Sequence, residues 1–200
     1  MTSPFAGALP VCVRVDGEDY PIRHDFRDGI RFETLMFDER VPESAKVALA
    51  LGIWFPALPD ADLGRIIEAM LAFYRCGKPS APESESDERL YSYEHDWDAI
   101  FAGFLTAYGI DLLDPTVELH WWKFRSMLAA LPEDSQFMRI VGYRGVKLSG
   151  DMGKEQRAFL RKMKALYALP CGGSMRPVPI RDEASLQAAL AAVRKAKGQS

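Results

Sequence analysis

Val11-Cys12-Val13-Arg14-Val15-Asp16-Gly17-Glu18-Asp19-Tyr20-Pro21-Ile22-Arg23-His24-Asp25-Phe26 is the stretch in which the period of the apolar residues changes. Val11, Val13 and Val15 alternate with Cys12 and Arg14, Asp16-Gly17 supplies turn chemistry, and Tyr20 and Ile22 resume the alternation. Asp-Gly between two alternating runs is a hairpin signature. From Asp25 onward the spacing is helical: Phe26, Ile30, Thr34 and Phe37 share a face that Phe32, Leu35 and Met36 widen. The sequence therefore predicts a mainly α protein, a compact multi-helix bundle with one N-terminal β-hairpin. A lone hairpin is not stable in water, so it must pack on helices or pair with another chain. Its edges offer strand addition between subunits, which makes Val13, Val15, Tyr20 and Ile22 candidate protein-interaction residues.

Beyond the hairpin the helices follow in series. Pro42 opens a helix to about Trp54, with Val47, Ala50, Leu51 and Trp54 on one side. Asp60 caps a third helix, in which Leu63, Ile66, Ile67, Met70, Leu71 and Phe73-Tyr74 recur every three or four residues, and Gly77 ends it. Residues 78–89 combine prolines, serines and acids with nothing apolar larger than alanine, the composition of a mobile loop. A fourth helix starts at Ser92 or Tyr93, buries Trp97, Ile100, Phe101, Phe104, Leu105 and Tyr108, and stops at Gly109. Asp114-Pro115 opens a fifth, whose seam is Val117, Trp121, Phe124, Leu128 and Leu131. Short helices over 134–143 and 154–168 complete residues 1–170, read as one helical domain with its hairpin. Residues 171–200 are a basic C-terminal tail with a thin apolar stripe, Leu186, Leu190 and Val193, suited to a short last helix.

Charge is divided unevenly. Residues 1–138 carry a net charge of −12 and residues 139–200 one of +9, which together give −3. That division suits a basic end meeting an acidic partner or, equally, lying on the acidic body of its own or a neighbouring subunit. Opposed charges and hairpin edges together imply self-association. No run of about 18 uncharged apolar residues is present, and Met1 to Pro10 has no basic or apolar segment of the signal-peptide kind, so the expected location is the cytoplasm. Three widely spaced cysteines, Cys12, Cys76 and Cys171, form no disulfide framework. With His24, His95 and His120 they show none of the short spacings of zinc ligands, so no metal site is expected.

The motifs of catalysis are missing. There is no P-loop, Rossmann glycine pattern, His-Glu-x-x-His or Gly-x-Ser-x-Gly, so no enzyme activity and no cofactor are expected. Asp96 and Asp98 lie on different sides of a helix, where they suit its dipole better than an acid/base dyad. Leu119-His120-Trp121-Trp122-Lys123-Phe124-Arg125 interleaves aromatic and basic residues, as nucleic-acid platforms do. On a helix, however, Trp121 and Phe124 face the packing seam, and an overall pI near 5.7 argues against nucleic acid. Trp122 lies one step off the seam and is the candidate for a subunit contact.

Several runs, read together, form a recognisable series. They are Val15-Asp16-Gly17-Glu18-Asp19-Tyr20-Pro21-Ile22, Phe73-Tyr74-Arg75-Cys76-Gly77-Lys78, Ala107-Tyr108-Gly109-Ile110-Asp111-Leu112, Leu119-His120-Trp121-Trp122-Lys123-Phe124-Arg125 and Tyr167-Ala168-Leu169-Pro170. From about Val11 to Pro170 the chain resembles the gene-product-fifteen family of bacteriophage and prophage proteins. The resemblance implies a place in the tail gene cluster, between the tail-tube and tape-measure genes. It also implies a non-enzymatic tail assembly chaperone that binds the tape-measure protein, the tail-tube protein or both during long-tail morphogenesis. A structural tail-completion or connector component of the virion is the alternative. No catalytic residues come with the family. Met36, Trp54 and Trp122 are the candidates for covering an apolar partner, if they are exposed.

Overall fold

The computed structural model describes residues 7–79 and 89–170. Most of the loop expected over 78–89, and the expected basic tail with its last helix, lie outside the described residues. The hairpin comprises β1 (Cys12–Val15) and β2 (Glu18–Pro21). The helices are α1 (Phe26–Phe37), α2 (Glu43–Trp54), α3 (Leu63–Tyr74), α4 (Trp97–Tyr108), α5 (Trp121–Ala129), α6 (Gln136–Gly145) and α7 (Lys154–Leu166). The described chain is mainly α with a two-stranded antiparallel hairpin at its N-terminal end. It divides into two compact units. One holds residues 7–79 and Leu119–Phe124; the other holds 89–118 and 125–170, so α5 contributes to both.

In the first unit the hairpin turns at Asp16 and Gly17, whose φ angles of 54° and 91° are those an Asp-Gly turn accepts. Val13 faces Tyr20 and Val15 faces Glu18 across the pair, and the period of two puts both valines on the buried side, toward α3. Arg14 and Asp19 pair across the outer face at 2.8 Å. Asp25 caps α1, its carboxylate accepting from the Arg27 N–H at 2.9 Å. Helix α3 is capped by Asp62, which accepts from the Arg65 N–H at 3.1 Å. The cap expected two residues earlier, Asp60, instead lends its carbonyl to the Tyr20 hydroxyl.

No basic residue stands in the last turn of α1, α2 or α3, and the last carbonyls of a helix need donors from elsewhere. Each of these helices finds a distant one. Buried Lys46 places its Nζ 2.8 Å from the Met36 carbonyl at the end of α1, with Glu43 at 2.8 Å as its counter-ion. Arg23 sends Nη1 to the carbonyls of Gly52, Ile53 and Phe55 at the end of α2. The end of α3 receives two indoles: Trp121 Nε1 donates to the Tyr74 carbonyl at 2.9 Å and Trp122 Nε1 to that of Phe73 at 2.8 Å. After α3 the backbone turns left-handed at Cys76 (φ 57°) and Gly77 (φ 69°).

Trp121 is also the centre of the first unit's core. Its ring stacks on Tyr74 and Phe124 and meets Trp54 edge-on at 6.4 Å. Phe32, Phe73 and Phe26 extend the cluster. Gly29 of α1 lies against this indole so closely that a Cβ would overlap it. The approach is fixed by main-chain bonds: the Phe26 N–H donates to the Leu119 carbonyl at 2.9 Å and the Trp121 N–H to the His24 carbonyl at 2.6 Å. That tether shortens α5, which was expected from Asp114-Pro115. The Asp114 carboxylate holds the Thr116 N–H and hydroxyl in a local turn, and Leu119-His120 runs extended beside His24–Phe26. Val117 therefore falls outside the helix, whereas Trp121, Phe124, Leu128 and Leu131 are buried.

In the second unit α6 packs against α4 and α7. Helix α4 begins at Trp97, later than the expected Ser92 or Tyr93, because a turn precedes it. The Ser92 N–H donates to the Asp96 carboxylate at 2.8 Å and the Asp96 N–H to the Ser92 carbonyl at 2.9 Å. Gly109 ends α4 at φ 66°, as expected. The Asp96 carboxylate is turned inward, where both oxygens meet the Arg144 guanidinium at 2.6 and 2.8 Å. Arg144 also donates to the carbonyls of Leu90 and Tyr167, and both members of the pair are buried.

Removing one partner of a buried, hydrogen-bonded ion pair strands the other charge. Arg144→Ala or Asp96→Ala is expected to lower unfolding free energy by roughly 3–5 kcal/mol in a urea titration, and the apolar double replacement Asp96→Leu with Arg144→Met by less. Single losses under about 1 kcal/mol, the range of exposed pairs, would contradict this assignment.

Candidate functional site

The residues singled out in sequence occupy three kinds of place. Val13, Val15 and Ile22 are buried in the first unit. Trp54 is 0% exposed, and its indole N–H has no acceptor among the described residues. Trp122, expected at a subunit contact, is 9% exposed and spends its N–H on the Phe73 carbonyl. Only Tyr20 and Met36 of the seven keep part of their surface in solvent. Sequence periodicity assigns one buried stripe per helix, but Trp122 lies against the end of α3, a packing direction that spacing along α5 does not reveal.

The aromatic-basic run 119–125 is thus a structural element. His120 is part of it. Its Nδ1 accepts from the Trp122 N–H at 3.0 Å, and its Nε2 lies 2.9 Å from the Pro10 carbonyl, so the ring is neutral with the proton on Nε2. It stacks on His24 with centroids 5.1 Å apart. His95 is exposed. Neither Cys12 nor Cys76 is in a disulfide among the described residues, the Cys76 thiol lies 3.8 Å from the Tyr74 carbonyl, and Cys171 lies outside the described residues. Among the described residues no group of three or more His, Cys, Asp or Glu is placed to hold a metal ion, and no helix is long and apolar enough to cross a membrane. The buried Asp96–Arg144 pair of the second unit spends its hydrogen bonds on each other and on the backbone of Ser92, Leu90 and Tyr167.

What the described surface does offer is apolar. Val11 and Leu49 are exposed in the first unit, and Trp97, Leu105, Leu113, Leu148, Phe159 and Leu166 in the second. Trp97 and Leu105 were expected in the core. Helix α4 is apolar around most of its circumference, and packing covers only Ala99, Ile100, Gly103 and Phe104. The sequence does hold a signal for this: a helix whose only polar positions are Asp98 and Thr106 cannot bury all its apolar residues unless it is enclosed. Helix α7 is the converse, amphipathic in sequence yet with no buried residue.

Burial holds the His120 imidazole below its ordinary value of 6.5, and neighbouring His24 and Lys123 act in the same direction. The unfolded chain therefore binds a proton that the folded chain refuses, so this contribution to stability is complete above pH 6.5 and is lost as pH falls below it. The urea midpoint of the native protein is expected to fall between pH 7.5 and 5.5 more steeply than that of His120→Gln. Equal slopes would show that the ring accepts its proton freely.

No curated protein and no solved structure matches this chain. The model of one family does, described as Bacteriophage Gp15 protein, over residues 5–169. That match covers the runs by which the chain resembled the gene-product-fifteen series, including the two segments, Phe73–Lys78 and Leu119–Arg125, that meet at the end of α3. Proteins of this family are phage structural and morphogenesis proteins, a class not known for enzymatic activity. The chain belongs to the Bacteriophage Gp15 protein family.

Proposed function

We propose that this protein is a non-enzymatic tail assembly chaperone, which binds the tape-measure protein, the tail-tube protein or both in the host cytoplasm while a long phage tail is built. The observation that carries the reading is the family match over residues 5–169, nearly the whole described chain. Physical chemistry supports it from the surface. A client that is long and partly apolar needs a small protein with apolar side chains left in water. In the first unit Val11 and Leu49 are exposed, and Tyr20 and Met36 partly so. Methionine in particular adapts its shape to more than one partner.

Co-expression with a tape-measure protein encoded beside it is the direct test. The expected result is a larger soluble fraction of the partner and a complex that survives affinity purification. Virion proteomics supplies the second arm: a chaperone is depleted from finished particles. Abundant recovery in the particle, with no gain in partner solubility, would replace this reading with that of a tail-completion or connector component.

A further inference from the structure

Two helices of the second unit carry partly exposed apolar strips of similar length and opposite charge, the Phe159 ring of one meeting Tyr143 edge-on. On α7, Phe159 (51% exposed), half-buried Met163 and Leu166 (65% exposed) follow at i, i+4 and i+7. Lys162 stands beside them, and the helix carries Lys154, Arg157, Arg161, Lys162 and Lys164 against one acid, Glu155. On α4, Trp97 (55% exposed), half-buried Phe101 and Leu105 (46% exposed) follow at i, i+4 and i+8. Exposed Asp98 flanks that strip, exposed Glu94 precedes it, and the helix has no basic residue. At 1.5 Å per residue the strips run about 10 Å and about 12 Å.

We infer that these strips meet: α7 of one copy of this chain docks on α4 of a second copy. Charge decides the pairing. Two α7 strips would bring together two helices that each carry five basic residues and one acid, and two α4 strips their carboxylates, whereas α4 against α7 sets Asp98 and Glu94 near Lys162, the basic residue beside the α7 strip. Apolar strips in register and opposite charges at the rim are the ordinary anatomy of a helix–helix interface. Because the two patches differ, two copies can engage both α4–α7 pairs at once in a two-fold dimer, and where only one pair engages, repetition produces a closed ring or an open filament. This association is separate from client binding and stands if the client is another protein.

Light scattering on a sizing column reads the outcome with the full chain. The wild type is expected to show a mass above that of one chain that rises with concentration and falls with salt. Leu105→Asp and Leu166→Asp, both at exposed positions, are each expected to run as single chains. Mixed in equal amounts they are expected to form a two-chain species and nothing larger, since each variant retains the strip the other lacks. A charge exchange guards against misfolding: Lys162→Glu weakens association at least tenfold, and adding Asp98→Lys in the same chain restores it. A wild type of single-chain mass at every concentration overturns the inference. So does either aspartate variant keeping the wild-type mass, or a mixture that stays monomeric.

Discussion

Two neighbouring indole N–H groups, on Trp121 and Trp122, donate to two neighbouring carbonyls, Tyr74 and Phe73, at the end of α3. The rest of the first unit is arranged so that this can happen. Consecutive residues on a helix point about 100° apart, so both rings reach the same helix end only if the first turn of α5 abuts it. The main-chain tether of Leu119 and Trp121 to Phe26 and His24 sets that position. Gly29 leaves the space the indole needs, and the His120 ring fixes the Trp122 N–H. The Phe73 carbonyl also takes the Cys76 N–H at 2.9 Å, so Trp122 adds a second donor there, and the two tryptophans serve as core and cap at once.

The same economy recurs through the chain. Lys46, Arg23 and Arg144 each bring a cation to helix-end carbonyls from a distant part of the sequence. Long-range capping of this kind ties one element's termination to another's placement. It also explains why several charged residues of an acidic chain are buried or half-buried without forming a reactive site. Their hydrogen bonds go to backbone carbonyls and, for Lys46 and Arg144, to one carboxylate each.

Much of the fold was legible because it is local. The hairpin follows from Asp16-Gly17 between alternating runs, and Gly109 ends α4 where a left-handed residue is needed. The errors share a different origin. Asp96 was read as a helix-dipole acid because Arg144, its partner, is 48 residues away. The start of α5 was placed at Asp114-Pro115 because capping chemistry is identical in a local turn and in a helix, and only the tether to His24 distinguishes them. Trp54 and Trp122 were candidates for an exposed surface, yet aromatic residues in a strongly apolar sequence go to whichever helix end or ring cluster receives them. The exposed strips on α4 and α7 were not recovered from periodicity, which reports what a helix could bury and not what its neighbours leave bare.

Function follows from what this arrangement leaves over. His120 and the aromatics that resemble a binding platform in sequence are committed to packing. What remains exposed includes apolar side chains on charged helices of this member of the Gp15 family. The central structural claim is that the Trp121-Trp122 pair acts inside the protein. Urea unfolding of Trp122→Phe, which keeps a ring and removes the N–H, tests it most directly. Because the Phe73 carbonyl keeps the Cys76 N–H, a loss of roughly 0.5–1.5 kcal/mol with self-association unchanged is the predicted result. Unaltered stability together with lost association would contradict it and return Trp122 to the surface.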